Sequence, residues 1–282
     1  MNRKLQNKLF YASIVLAVII CSIILILLFG IIIWNGLPAL SLDFLTNSSK
    51  EFGASGGIVY QILGSILLII FAGLICLPIA LGTAIYKSEY LKNEIAHKII
   101  NTLIYSLNGI PSVIFGIFGL IFFVNILNMG ISWFVGSIIL AIMILPTVTL
   151  STYQSINSIP TVYRESSYAL GLNKWQVIVK VLLPQGFSGA ITGLLIGIAR
   201  AIGETAPIMF IAIAFSGVTI PSSFLEPVST LPTHILALAQ QATNPLALQN
   251  AWGASLVLVI LVIIFSISAL FIRLRHQSIS KR

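Results

Sequence analysis

Charge is what this sequence has least of. Seven of its 282 residues are acidic, and charged side chains make up 8% of the chain, against roughly 25% in soluble domains. With 58% hydrophobic residues and a mean hydropathy of +1.06, the apolar surface exceeds what a water-soluble fold can cover, so the solvent is lipid. Cysteine is almost missing too: Cys21 and Cys76 both lie in apolar runs and read as small buried hydrophobes, not as a disulfide or a metal site. The three histidines, His97, His234 and His276, fall outside every predicted span. That speaks against a membrane-embedded hydrolase, which needs a base or metal ligands within the spans. No G-x4-G-K-S/T pattern occurs, so ATP hydrolysis by this chain alone is not expected. There is no internal repeat and no low-complexity segment.

What the chain does have is long charge-free runs: Leu9–Leu42, Phe52–Tyr86, Ile99–Tyr163, Val181–Ala199 and Ile235–Ile272. About 20 apolar residues cross a membrane, and the third run is divided by the turn-like stretch Asn125–Gly130. The pattern predicts six spans, at about 10–34, 59–86, 99–124, 131–151, 187–215 and 251–273. The first apolar run is longer than the ~7–15-residue core of a signal peptide and no A-x-A follows it, so it reads as an uncleaved span. Residues 1–58 form an N-terminal span with an external loop, and residues 59–282 form the core.

In a soluble chain the formal net charge of +8 would suggest nucleic acid. Here the basic residues mark topology instead. With the N-terminus inside, the cytoplasmic segments hold Arg3, Lys4, Lys8, then Lys87, Lys92, Lys98, then Arg164, Lys174, Lys180, then Arg273, Arg275, Lys281 and Arg282, which is thirteen of fifteen. Lys50 lies outside and Arg200 lies within a span. The asymmetry places both termini inside and requires an even number of spans. The last external loop, about 216–250, has four prolines and two titratable residues, Glu226 and His234; a lone histidine there reads as solvated.

The fifth span carries GIARAIGETAPIM (Gly197–Met209). Gly189, Gly193, Gly197 and Ala201 recur every four residues, a stripe of small side chains along which another helix can approach closely. Beside it, Arg200 and Glu204 stand at i, i+4, where they can pair. Counted from Gly186, Arg200 is about 21 Å along a helix, past the middle of a ~30 Å hydrocarbon core. Pro207 invites a kink, and with Thr205 the segment suggests a polar cavity. Two compatible readings follow: a structural salt bridge, or a gate on a hydrophilic path. Gln61, Ser65, Asn108 and Ser112 could line the same path, although serines in spans usually bond their own helix carbonyls. Asn108 precedes Gly109 and Pro111 at an expected kink.

Between spans four and five lies IPTVYRESSYALGLNKWQVIVKVLLP (Ile159–Pro184), cytoplasmic by the charge rule. Two short helices are expected: Thr161 caps the first, Gly171 ends it in a left-handed turn, Asn173 caps the second, and Pro184 closes the segment. Tyr163, Tyr168 and Trp175 stand among Arg164, Glu165, Lys174 and Lys180. Such a surface fits a protein interface or an amphipathic pair in the headgroup zone.

Glu165, Gly171, Leu183 and Pro184 match the E-A-A-x3-G-x9-I-x-L-P loop of ABC-transporter permeases, with Ser166 and Ser167 in place of the alanines and Val181 in place of isoleucine. RESSYALG, LLP and RAIGETAP together resemble phosphate ABC transporter permeases of the PstA type, as do GIPSVIFGIFGL (Gly109–Leu120) and LGTAIYKSEY (Leu81–Tyr90). The resemblance runs from Gly56 to the C-terminus. It implies an all-α, polytopic membrane helical bundle of the MetI-like fold in the cytoplasmic membrane. It also implies a PstC-type second permease, an ATPase dimer on the cytoplasmic side, an external phosphate-binding protein, and phosphate as cargo. The EAA loop at about 160–185 would couple to the ATPase through Arg164, Glu165, Ala169, Gly171, Trp175 and Pro184. The translocation path would hold Arg200, Glu204, Thr205, Asn108 and Ser112. Such a chain is no enzyme and binds no cofactor; ATP is used by the partner. The rivals are an importer of another oxyanion, molybdate or sulfate, and a secondary transporter, which would scatter charges over several spans.

Overall fold

The computed structural model describes residues 3–213, 220–241 and 243–279. Residues 214 and 215 at the end of the fifth predicted span, the start of the last external loop (216–219), and Lys281 and Arg282 lie outside the described residues. The chain begins with α1 (Arg3–Gly36), a short α2 (Leu42–Thr46) and a hairpin of β1 (Ser49–Lys50) and β2 (Ser55–Gly56). Then come α3 (Val59–Ile85), α4 (Glu94–Gly109), α5 (Ser112–Gly119) and α6 (Trp133–Asn157). The loop after α6 holds α7 (Thr161–Ala169) and α8 (Lys174–Val177); α9 (Leu183–Ala201), α10 (Ala206–Ile211), α11 (Leu231–Ala239) and α12 (Pro245–Ile279) complete the described chain.

Among the described residues, five stretches are long and apolar enough to cross a membrane: Phe10–Ala39, Val59–Tyr90, Trp133–Asn157, Lys174–Ala201 and Pro245–Ser268. The third expected span, 99–124, is instead two helices, Glu94–Gly109 and Ser112–Ile126, meeting at 95°. The cause is local. Pro111 forbids the preceding residue a helical backbone, and Ile110 is extended at φ −71° and ψ 130°.

The fifth span also departs from expectation. Its helix starts at Lys174 and ends at Ala201, so 187–215 is not one kinked helix. Pro184 does not close the cytoplasmic segment; it sits in the first turn of α9, inside a continuous helix. The turn before it, Ile178–Leu182, widens, and the Leu183 amide donates to the Ile178 carbonyl five residues back. Such a wide turn accommodates a proline ring that would otherwise crowd the carbonyl four residues earlier.

The stripe of small residues on α9 does what its spacing predicts. It packs on α6, where a Cβ at Gly193 would lie 2.6 Å from Ser151 Cβ and 3.2 Å from Val148 Cα. The Ser151 hydroxyl donates to the Gly189 carbonyl at 2.8 Å. With α3, these helices hold the main core, which includes Leu68, Ala72, Cys76, Ile144 and Val148. By contrast, α1 stands outside this core and leans on α12, where a Cβ on Gly36 would touch Leu256.

The end of the bundle that gathers the hairpin and α11 is a knit cap. Gln61 donates to Ser49 Oγ at 3.0 Å, and Asn250 donates to the Ala54 carbonyl at 3.0 Å. Ser65 does not bond its own helix: it accepts from the Leu231 amide at 2.9 Å. His234 is not solvated. It lies in α11, 4% exposed, with Nε2 unpartnered, and packs so close to Gly53 (φ +93°) that a Cβ there would lie 2.3 Å from its ring. Burial pulls its pKa from 6.5 down to about 4. Above pH 6.5 the folded and unfolded forms are both neutral. As pH falls from 6.5 towards 4 the unfolded histidine binds a proton that the folded one refuses, so stability drops across that window. Hydrogen-exchange protection of α11 and the hairpin, taken relative to the intrinsic rate at each pH, should therefore fall over this range, and His234→Gln should flatten the dependence.

Candidate functional site

Two broken helices meet at their breaks. Helix α4 stops at Gly109 and α9 at Ala201, and each is followed by a shorter helix. After Ala201 the chain turns tightly, the Gly203 amide donating to the Arg200 carbonyl at 3.2 Å and the Glu204 amide to the Ala201 carbonyl at 3.1 Å. Pro207 then sits in the first turn of α10, where its missing N–H costs nothing. The outer halves touch: a Cβ at Gly116 in α5 would lie 2.8 Å from Pro207 Cα.

At this double break the predicted path residues divide. Arg200 Nη1 donates to Asn108 Oδ1 at 3.3 Å, joining α9 to α4. Arg200 Nε and Glu204 Oε1 are 3.7 Å apart, a loose ion pair longer than a hydrogen bond. Glu204 stands in the turn beyond the helix, not on the helix face that the i, i+4 spacing suggested. The Arg200 side chain is 45% exposed and that of Glu204 16%. A cation in the last turn of α9 is also favoured by the helix dipole. Ser112 opens α5 and Thr205 precedes α10, both half-buried; Thr205 makes no side-chain cap. Glu204 borders a narrow crevice of about 10 Å3 together with Ser65 and Thr230. Gln61 belongs to the cap around the hairpin, not to this cluster. A guanidinium tied by one hydrogen bond and one loose pair keeps most of its five donors free, in a fork that matches an oxyanion.

The loop after α6 forms one short helix, α7, as expected, but the second, α8, runs on without a break into α9. Gly171 takes φ +80°, and its amide and that of Leu172 close α7 onto Tyr168 and Ser167. Asn173 and Gln176 form a reciprocal capping box. Thr161, in contrast, is the first residue inside α7; Pro160 occupies the cap position without a side-chain bond. The inner side of the loop packs Ile159, Val177, Ile178 and Leu182. Tyr163, Glu165, Tyr168, Ala169 and Trp175 face out, and Leu170 is 83% exposed.

Arg164 turns inward. It donates to the Ile159 and Ile156 carbonyls at 2.9 and 3.1 Å and pairs with Glu89 at 3.2 Å. The sequence reading missed Glu89. Its one signal was its sign, an acid among Lys87, Lys92 and Lys98 in a cytoplasmic segment.

Residues 75–278 match the family described as binding-protein-dependent transport system inner membrane component. The chain belongs to that family. The chain is 34% identical over 280 residues to a Bacillus subtilis protein described as probable ABC transporter permease YqgI, covering 95% of each. It is 31% identical over 269 residues to the phosphate transport system permease PstA of Pasteurella multocida, covering 95% of this chain and 94% of that one. Among solved structures, a bacterial alginate ABC transporter crystallised with its pentasaccharide-bound periplasmic protein gives a TM-score of 0.66 at 18% identity, covering 94% of this chain and 93% of that one. The inward-facing MetNI methionine transporter gives 0.62 at 17% identity over 77% of this chain and 94% of that one. The fold is thus that of MetI-like ABC permeases, and this permease is a multi-pass membrane protein whose role is transport.

Proposed function

We propose that this permease is one membrane half of an ATP-driven phosphate importer in the cytoplasmic membrane, with both termini inside. The observation that carries the cargo is Arg200, held by Asn108 and Glu204 where two helices break and left 45% exposed with its donor fork largely unspent. Glu204 neutralises it when the path is empty, which keeps anion binding weak and transient. Likeness to PstA relatives supports phosphate over other oxyanions. A PstC-type second permease covers the Arg200 face, because a charge at this depth is tolerated only beside protein or water. The exposed side of the loop, with Glu165, Ala169, Gly171 and Trp175, seats a separate ATPase, and Arg164 and Pro184 set its frame. ATP-driven closure of that partner then rocks the spans about the path, and an external binding protein delivers phosphate.

The test is co-expression with the candidate second permease and ATPase, purification, and ATPase assays with binding protein. Stimulation by phosphate-loaded protein but not by sulfate or molybdate is the expected result. Stimulation by sulfate or molybdate instead reassigns the cargo, and failure to recover any ATPase favours a secondary transporter.

A further inference from the structure

We propose that Glu89 is a positioning residue that clamps the cytoplasmic coupling loop to the inner end of α3 and thereby passes the motion of the ATPase to the membrane helices. The inference rests on the reading above, that this loop seats an ATPase.

Glu89 lies in the wide turn Tyr86–Tyr90 that ends the span Val59–Tyr90. Its side chain is 9% exposed. One oxygen, Oε1, accepts from Arg164 Nη2 at 3.2 Å, Arg164 Nε at 3.3 Å and Ser88 Oγ at 3.0 Å. Its backbone carbonyl accepts from Lys174 Nζ, and the same ammonium sits 3.9 Å from the centre of the Tyr90 ring. This one residue therefore meets both arms of the loop, Arg164 in α7 and Lys174 in α8. The turn is fixed in its own place by Lys87, which is 2% exposed and lies 3.8 Å over the Tyr153 ring of α6.

Among the described residues, the other side-chain hydrogen bond from α7 is internal: Ser167 donates to the Tyr163 carbonyl. Arg164 is thus the polar link between α7 and the membrane helices. Its contacts with Ile156 and Ile159 hold it to the segment just before the loop, and Glu89 is its link to a different span. A largely buried ion pair is costly to break from one side, since the other charge stays behind unpaired. Such a pair suits the transmission of movement better than a solvated contact, which slackens.

The test compares wild type, Glu89→Gln and Glu89→Asp as assembled complexes in liposomes with ATPase, second permease and binding protein. Basal ATP hydrolysis, hydrolysis stimulated by phosphate-loaded binding protein, and phosphate uptake are read together. Glu89→Gln is expected to co-purify with the ATPase and keep its basal rate, while stimulation and uptake fall about tenfold. Glu89→Asp, which keeps the charge on a shorter arm, should recover part of both. Wild-type stimulation and uptake in Glu89→Gln overturn the clamp. So does a parallel fall in complex yield, basal and stimulated rates with no recovery in Glu89→Asp, which makes Glu89 a fold support only. A wild-type chain that recovers no ATPase overturns the coupling reading itself, a result separate from either.

Discussion

Arg200→Gln should abolish phosphate uptake while the complex still assembles. Glutamine keeps a donor for Asn108 but loses the charge and the planar fork. Hydrogen bonds to a charged group contribute about 1.5–3 kcal/mol each, so the loss of one or two lowers phosphate occupancy of the path by at least about tenfold. Assembly should survive because Arg200 is 45% exposed and bound to the rest of the chain by one 3.3 Å hydrogen bond and a 3.7 Å pair. Uptake of labelled phosphate into liposomes, beside the yield of co-purified ATPase, makes the measurement. Normal uptake by the variant removes Arg200 from the mechanism.

Gly193→Leu should prevent the chain from accumulating in the membrane. A bare Cβ already comes within 2.6 Å of Ser151 Cβ and 3.2 Å of Val148 Cα. Overpacking by a single methylene in a close-packed core costs about 1–3 kcal/mol, and leucine forces α9 away from α6 along the main core. Gly30→Leu is the matched control, since nothing lies within 4 Å of a Cβ there. Membrane-fraction yield should fall for the first variant and stay level for the second. Equal yields would mean that the α6–α9 contact is not needed for folding.

The sequence conveyed best what depends on a local period. The four-residue stripe on α9, the left-handed Gly171 and the Asn173 cap are each written in neighbouring residues, and each stands where it was expected. Helix breaks were harder. Pro111 did announce a kink beside Gly109, although not a turn of 95°; a hydropathy window registers composition, so it ran straight through Gly203, where α9 has already ended. It also stopped at Pro184, because the widened turn that lets a helix run past proline leaves no mark in hydropathy. Contacts between distant positions were invisible. Glu89 and Arg164 are 75 residues apart, and nothing near either one names the other. His234 misled for the same reason: a proline-rich loop hid a short helix whose inner face the hairpin covers.

The helix that runs unbroken from Lys174 to Ala201 spans 28 residues, or about 40 Å at 1.5 Å per residue. One end carries Lys174 and Trp175, and Arg200 stands at the other. A rod of that length acts as a lever arm: a tilt of about 5° about its Lys174 end carries its tip sideways by about 3–4 Å, since rise and length fix the arc. That stroke is as long as the 3.3 Å contact between Arg200 and Asn108, so on the proposed reading of the loop a small swing there would be enough to part α9 from α4 at the guanidinium.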